Sequence, residues 1–64
     1  MINVAFTTYP PGQGEQTTWK AMPFPPRVGE SLHLGSDDIA IMTITHVCWC
    51  YDDATGWHVE CSAR

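Results

Sequence analysis

Hydrophobic and polar residues alternate in several short stretches of this chain, and proline, glycine or aspartate separates one stretch from the next. At the N-terminus, Ile2, Val4 and Phe6 occupy every second position, which is the period of a half-buried β-strand. Residues 9–16 contain two prolines and two glycines and are predicted to form a surface loop. A short second strand is predicted over residues 17–22.

The middle of the chain predicts two turns with a short strand between them. Residues 23–26 hold three prolines, which end the second strand. The next segment, Arg-Val-Gly-Glu at 27–30, predicts a glycine turn, and the strand after it places Leu32 and Leu34 inward. Residues 35–38 predict the next turn.

The longest β pattern runs from Ile39 to Cys61 and predicts a hairpin with its loop at residues 52–56. The loop sequence, Asp-Asp-Ala-Thr-Gly, consists largely of residue types that favour turns. With a loop of this length, the bulky apolar side chains fall on one face of the hairpin. The opposed pairs are then Tyr51 with Trp57, Trp49 with Val59, and Val47 with Cys61. A loop one residue shorter would bring Cys48 opposite Cys61 and scatter the aromatic residues.

The other face of this hairpin carries polar and sulfur-containing side chains. They are His46, Cys48, Cys50, His58 and Glu60. Upstream, the apolar residues Met42 and Ile44 fall on even-numbered positions, whereas Val47 falls on an odd-numbered one. A β-bulge near Thr45 and His46 is therefore predicted, because an inserted residue lets both groups reach the core.

Three of these segments together resemble a known type of protein. The proline-rich lead-in at 23–26, Arg-Val-Gly-Glu at 27–30 and the long strand ending in Val47-x-Trp49 resemble small SH3-like barrel proteins. Such proteins occur among the short accessory products of phages, plasmids and their bacterial hosts. The resemblance covers residues 23–62 and implies a compact barrel that binds another protein, with no catalytic residues.

Pattern and resemblance agree on an all-β fold. We expect one domain over residues 1–64, a small antiparallel meander of about five strands closing into an SH3-like barrel. No stretch of more than ten residues has helical periodicity. A chain this short buries only about 60% of its unfolded surface, so its core is small.

The charge balance argues against nucleic acid as a partner. Seven acidic residues against three basic ones give a net charge of −4, and Lys20, Arg27 and Arg64 are scattered along the sequence. Affinity for a phosphate backbone comes mainly from clustered lysine and arginine. No membrane span is expected either, since no apolar run approaches the roughly 20 residues that cross a bilayer.

The three cysteines predict a reduced, cytoplasmic chain. Their odd number, together with the absence of a basic segment followed by an apolar one at the N-terminus, disfavours a secreted disulfide framework. In this interpretation Cys48 and Cys61 behave as small hydrophobic residues, and Cys50 fills a barrel edge.

The sulfur and imidazole groups of the hairpin support an alternative function, metal binding or thiol-redox chemistry. Thiolate and imidazole bind zinc well, and the candidate ligands are His46, Cys48, Cys50 and His58. Three successive same-face residues of one strand span about 13 Å, so only two of them together with His58 can reach one ion. Catalysis by Cys50 and His58 is disfavoured, because such a small barrel offers no deep pocket.

The favoured function is a non-enzymatic protein-interaction module, an adaptor or inhibitor with no cofactor. Exposed aromatic and acidic loop residues would contact the partner, and a second copy of the chain is a further candidate partner. The candidate contacts are Tyr9, Trp19, Phe24, Tyr51, Asp52 and Asp53. For Phe24, packing against the core is the preferred alternative to exposure, because a small domain has few apolar side chains to spare.

Overall fold

The computed structural model describes residues 1–10, 12–33 and 41–64, and these ranges contain five β-strands. The strands are β1 (Ile2–Thr8), β2 (Gln16–Met22), β3 (Ser31–Leu32), β4 (Met42–Asp52) and β5 (Gly56–Ala63). None of the residues in the three ranges is helical, so the all-β prediction is confirmed for them. The predicted turn at 35–38, the inward Leu34 and the start of the long strand at Ile39 lie outside the described residues.

The strands form one mixed sheet in the order β2-β1-β5-β4-β3. β1 pairs antiparallel with β2 but parallel with β5, while β4 pairs antiparallel with both β5 and β3. The predicted antiparallel meander is therefore wrong in its strand order. The segment between β2 and β3 carries the chain from one sheet edge to the other, and β5 then enters the centre beside β1. The sheet is curled into an open half-barrel.

The core lies on one face of this sheet, called the inner face below, where β1 and β5 run side by side. Their parallel register pairs Val4 with Val59 and Phe6 with Cys61, and each of these four side chains is at most 2% exposed. Burial of one such valine or phenylalanine contributes about 1.5–3 kcal/mol to stability. The partly buried residues packed around them are Ile2, Met22, Leu32, Met42 and Val47.

The Arg-Val-Gly-Glu segment forms the predicted turn and attaches it to β4. Gly29 has a φ of +93°, a left-handed conformation that glycine adopts without strain, and the Glu30 amide donates to the Arg27 carbonyl. The Gly29 amide also donates to the Ile44 carbonyl at 2.8 Å, and the Ile44 amide donates to the Glu30 carbonyl at 2.9 Å. The turn thereby continues the sheet edge beyond β3.

The β4–β5 hairpin has the predicted register. The opposed pairs are Tyr51 with Trp57, Trp49 with Val59, and Val47 with Cys61. The register shifts between Ile44 and His46, which confirms the predicted bulge. Because of that shift, Ile44 is buried in the core together with the odd-numbered residues of β5.

Two predictions about single side chains are wrong. Phe24 is 75% exposed rather than packed, whereas Pro26, two residues later, is buried. Cys48 is exposed and does not act as a small core residue, because its position in β4 faces away from the core. Cys61 is buried, as predicted.

Candidate functional site

The inner face of the β4–β5 hairpin ends in three exposed aromatic side chains, called the aromatic triad below. Trp49, Tyr51 and Trp57 are 50%, 60% and 62% exposed. The ring centroid of Trp57 lies 6.2 Å from that of Trp49 and 5.2 Å from that of Tyr51, in edge-on and tilted arrangements. Rings at these distances and angles attract one another, so the triad forms one continuous surface.

On its β4 side, the hairpin that carries the triad extends well beyond β3. β3 pairs with β4 only at Met42 and Thr43. Among the described residues, no strand therefore flanks the edge of β4 beside Trp49 and Tyr51. The alternation that builds the core thus continues onto an open surface, next to a free strand edge.

An acidic turn closes the hairpin beside the triad. The Ala54 amide donates to Oδ1 of Asp52 at 2.7 Å, and Gly56 ends the turn with a φ of +80°. This is an Asx turn, in which the aspartate side chain replaces a backbone acceptor. Asp53 is exposed at the tip. Two carboxylates therefore lie at the end of the triad, and residues 52–56 contain no lysine or arginine.

The six side chains predicted to contact a partner do not share one surface. Tyr51, Asp52 and Asp53 lie together at the hairpin tip. Tyr9 follows the far end of β1, where the guanidinium carbon of Arg64 lies 5.0 Å from its ring centroid. Tyr9 and the hairpin tip are at opposite ends of the sheet, because β5 runs from the tip to Arg64.

Phe24 and Trp19 belong to two further surfaces. Phe24 lines a cavity of about 280 Å³ with Met22, Leu32 and surrounding prolines. Trp19 is 56% exposed and lies on the outer face, the side of the sheet opposite the core. Neither residue joins the aromatic triad. Sequence reasoning omitted Trp49 and Trp57 from the contacts, although their place at the end of a hairpin with a small core signals exposure.

The outer face of the same hairpin gathers four groups that can bind a metal, called the thiol–imidazole cluster below. In the register, Cys50 is opposite His58 and Cys48 is opposite Glu60. The sulfurs of Cys48 and Cys50 are 3.9 Å apart, and Nε2 of His58 is 3.0 Å from Oε2 of Glu60. The ligand atoms of Cys50, His58 and Glu60 all lie within 4.8 Å of one another.

Trp19 holds the imidazole of this cluster in place. Its ring centroid lies 5.4 Å from that of His58, at an interplanar angle of 55°. Strand β1 lies between the strands of Trp19 and His58, and its residue paired with Trp19 is Ala5, a small side chain that is only 4% exposed. The His58 side chain is consequently only 17% exposed.

The environment of Cys50 keeps its thiol protonated at neutral pH. Desolvation, together with the hydrogen bond and charge of Cys48 and the carboxylate of Glu60, raises the pKa of Cys50 from 9.0 to about 11. Burial likewise raises the pKa of Cys61. Since the thiolate is the reactive form, Cys50 is a poor nucleophile in the free protein, which weakens the thiol-redox alternative.

His46 lies on the same face as the cluster but outside it. It is one step further along β4, opposite Ser62, and its Nδ1 lies 3.1 Å from Oγ1 of Thr45. Compared with the predicted ligand set, the structure brings Glu60 rather than His46 close to Cys50 and His58, and Cys48 adjoins this group through the sulfur of Cys50. The register indicates this exchange, because Glu60 is the residue opposite Cys48. A depression of about 380 Å³ beside the cluster is lined by residues including Trp19, His58 and Glu60.

Comparison with protein-family models, with curated proteins and with solved structures finds no match. The resemblance to SH3-like proteins is therefore supported only as far as a small all-β half-barrel. Within the described ranges, no helix has the length and hydrophobicity needed to cross a membrane. The candidate roles rest on the geometry of the chain's own side chains.

Proposed function

We propose that the protein is a non-enzymatic interaction module, which binds a basic, extended segment of a partner protein at the tip of the β4–β5 hairpin. The observation that carries this proposal is the aromatic triad, exposed beside the free edge of β4. Tyrosine and tryptophan are enriched in protein interfaces, because their large rings bury apolar area at little cost in side-chain entropy.

The triad offers enough apolar area for a binding surface. Each ring has roughly 150–250 Å² that can be buried, so covering three half-exposed rings removes on the order of 300 Å² from water. At about 25 cal/mol per Å², the gross gain is about 7 kcal/mol before the costs of association are subtracted. This favours a moderate-affinity partner over a permanent one.

The free edge of β4 supplies backbone groups beside these rings. A partner segment in extended conformation can pair with such an edge and place alternate side chains against the triad. Residues 46–52 are the part of β4 without a described neighbour on that side. Pairing there would also cover an edge that is otherwise open to indiscriminate strand addition.

Charge defines the chemical class of the partner. Asp52 and Asp53 lie at the end of the triad, and the whole chain carries a net charge of −4. A basic segment is attracted to this end and associates faster, whereas a second copy of the same acidic tip is repelled. We therefore favour a lysine- or arginine-bearing partner over self-association.

The test is selection from a library of short synthetic peptides that differ in their lysine, arginine, aspartate and glutamate content. We expect the intact protein to select basic peptides with strand-forming residues. Tyr51→Ala or Trp57→Ala should weaken this binding at least about tenfold, as expected for central aromatic contacts. Asp53→Asn should slow association and reduce its salt dependence, leaving the fold intact.

Tyr9→Ala is the matched control, since it removes an exposed tyrosine from the other end of the sheet. Its binding should equal that of the unaltered protein. Selection of acidic peptides, or equal binding by a folded Tyr51→Ala variant, would contradict the proposal. Concentration-dependent dimerisation that Trp57→Ala abolishes would assign the triad to a second copy of the chain instead.

The finer expectations from the sequence stay predictions. They are a closed SH3-like barrel of the phage, plasmid or bacterial accessory type, a cytoplasmic location, and a role as adaptor or inhibitor. Each is compatible with a small module that acts by binding. Identification of a basic partner would decide between the adaptor and inhibitor roles.

A further inference from the structure

We propose that the outer face of the β4–β5 hairpin binds one zinc ion through Cys48, Cys50, His58 and Glu60. The four residues form two neighbouring cross-strand pairs on one face of the hairpin. The inference is independent of the proposed partner surface, which occupies the inner face. Each can therefore fail without the other.

The spacing of the donor atoms suits a tetrahedral ion. With zinc–sulfur bonds of about 2.3 Å, two sulfur ligands lie roughly 3.8 Å apart, and nitrogen and oxygen ligands at about 2.0–2.1 Å lie roughly 3.3 Å apart. The two sulfurs here are 3.9 Å apart, and the His58 and Glu60 atoms are 3.0 Å apart. The ligand atoms of Cys50, His58 and Glu60 lie within 4.8 Å of one another, and Cys48, whose sulfur lies beside that of Cys50, would complete the set.

Ligands from two strands avoid the wide spacing of three ligands taken from one strand. Three alternate residues of one strand are too widely spaced for one ion, so His46 cannot join Cys48 and Cys50. The structure instead takes two ligands from β4 and two from β5, and neighbouring strands are only about 4.8 Å apart. Glu60 replaces His46 as the fourth ligand.

The donor set favours zinc among the common ions. Two thiolates and an imidazole are ligands that zinc prefers, whereas magnesium and calcium take oxygen ligands. On binding, each thiol releases one proton to solvent and forms a zinc–sulfur bond, and the imidazole takes the tautomer with its proton on Nδ1, so that the lone pair of Nε2 binds the ion in place of the hydrogen bond to Glu60. The ion compensates the negative charge of the two thiolates formed on binding and of the Glu60 carboxylate.

Trp19 positions one of the ligands before any ion arrives. Its ring lies against His58, whose side chain is only 17% exposed, so the imidazole has little freedom to turn away. A ligand with a fixed orientation loses less entropy when it binds. Replacement of a residue that orients a metal ligand without touching the metal typically changes metal affinity about 10–100-fold.

The experiment is native mass spectrometry and isothermal titration of the full chain with zinc, followed by titration with cobalt. We expect one zinc per chain, and with cobalt a sulfur-to-metal charge-transfer band and visible bands of tetrahedral intensity. Cys50→Ser and His58→Asn should each weaken zinc binding more than about 100-fold, since they remove direct ligands. Glu60→Gln should weaken it less.

His46→Asn is the matched control, because it removes an exposed histidine from the same face without touching the cluster. Its zinc affinity should equal that of the unaltered protein. Absence of a zinc adduct, or a larger loss with His46→Asn than with His58→Asn, would overturn the proposal. If His58→Asn fails to fold, Cys50→Ser still tests the ligand set, and Trp19→Phe tests the orientation of His58. Both substitutions leave the core face unchanged.

Discussion

The two faces of the β4–β5 hairpin are built from alternate residues of the same two strands, yet they offer different chemistry. The inner face begins in the core and ends in the exposed aromatic triad. The outer face has no core beneath it and carries the thiol–imidazole cluster. The comparison shows that period-two alternation lets one hairpin present an exposed aromatic surface and a cluster of thiol, imidazole and carboxylate groups back to back.

The inner face itself divides into a structural half and an exposed half. Val59 is fully buried, whereas Trp49, directly opposite it, is 50% exposed. The boundary falls within one cross-strand pair, on the tip side of the core residues Val4, Val59 and Cys61. Residues of similar hydrophobicity are therefore buried and stabilising on one side of this boundary and exposed to solvent on the other.

We expect the strongest loss of stability from substitution in the buried half of the inner face. Phe6→Ala removes a side chain that is 1% exposed and should destabilise the fold by about 3–5 kcal/mol. Trp57→Ala removes a larger ring that is 62% exposed, and should cost much less. Urea unfolding of the two variants measures the difference. Equal losses would mean that the triad belongs to the core after all.

We expect a smaller loss of stability from substitution of Gly56 in the hairpin turn, which sets the register of β4 and β5. Gly56 has a φ of +80°, so Gly56→Ala should cost about 1–2 kcal/mol through backbone strain alone, because an added Cβ meets no atom within 4 Å. Thr55→Ala, one residue earlier, is the control and should have little effect. Thermal or urea unfolding provides the measurement, and an unchanged stability of Gly56→Ala would contradict the turn geometry.

The smallest effect concerns the outer face and appears only at high pH. Because the pKa of Cys50 is raised from 9.0 to about 11 in the folded chain, its contribution to stability is complete below pH 9 and is lost as the pH rises through about 11. The difference in unfolding free energy between the unaltered protein and Cys50→Ser, measured with chelator present, should therefore shrink over this interval. A difference that stays constant from pH 8 to 11 would show that Cys50 is solvated like a free thiol.

Sequence reasoning predicted the hairpin well because its information is local. The turn residues at 52–56 and the positions of Trp49, Tyr51 and Trp57 allow one register that keeps the aromatic residues on one face. The bulge near Thr45 followed from a change in the parity of the apolar positions. These features depend on residues that are close in sequence, so the hydrophobic pattern predicts them.

Strand order and exposure could not be predicted in the same way. Nothing in the alternation of Val4 and Phe6 specifies that β1 pairs in parallel with β5, because that choice depends on how the chain crosses the sheet between β2 and β3. Trp57 and Val59 have the same parity, and only the tertiary arrangement leaves one exposed and the other buried. The sequence placed Glu60 on the outer face, but only the structure shows its carboxylate 3.0 Å from the imidazole of His58.

The separation of the two faces can be tested in one spectrum, because the three tryptophans divide between them. Trp19 lies against His58 on the outer face, while Trp49 and Trp57 belong to the triad. Nuclear magnetic resonance of the ¹⁵N-labelled chain gives one indole N–H signal for each, assigned with single Trp→Phe variants. Zinc should shift the Trp19 signal and leave the other two in place, and a selected basic peptide should do the reverse. Shifts of Trp49 and Trp57 on zinc addition that equal the shift of Trp19 would contradict the account.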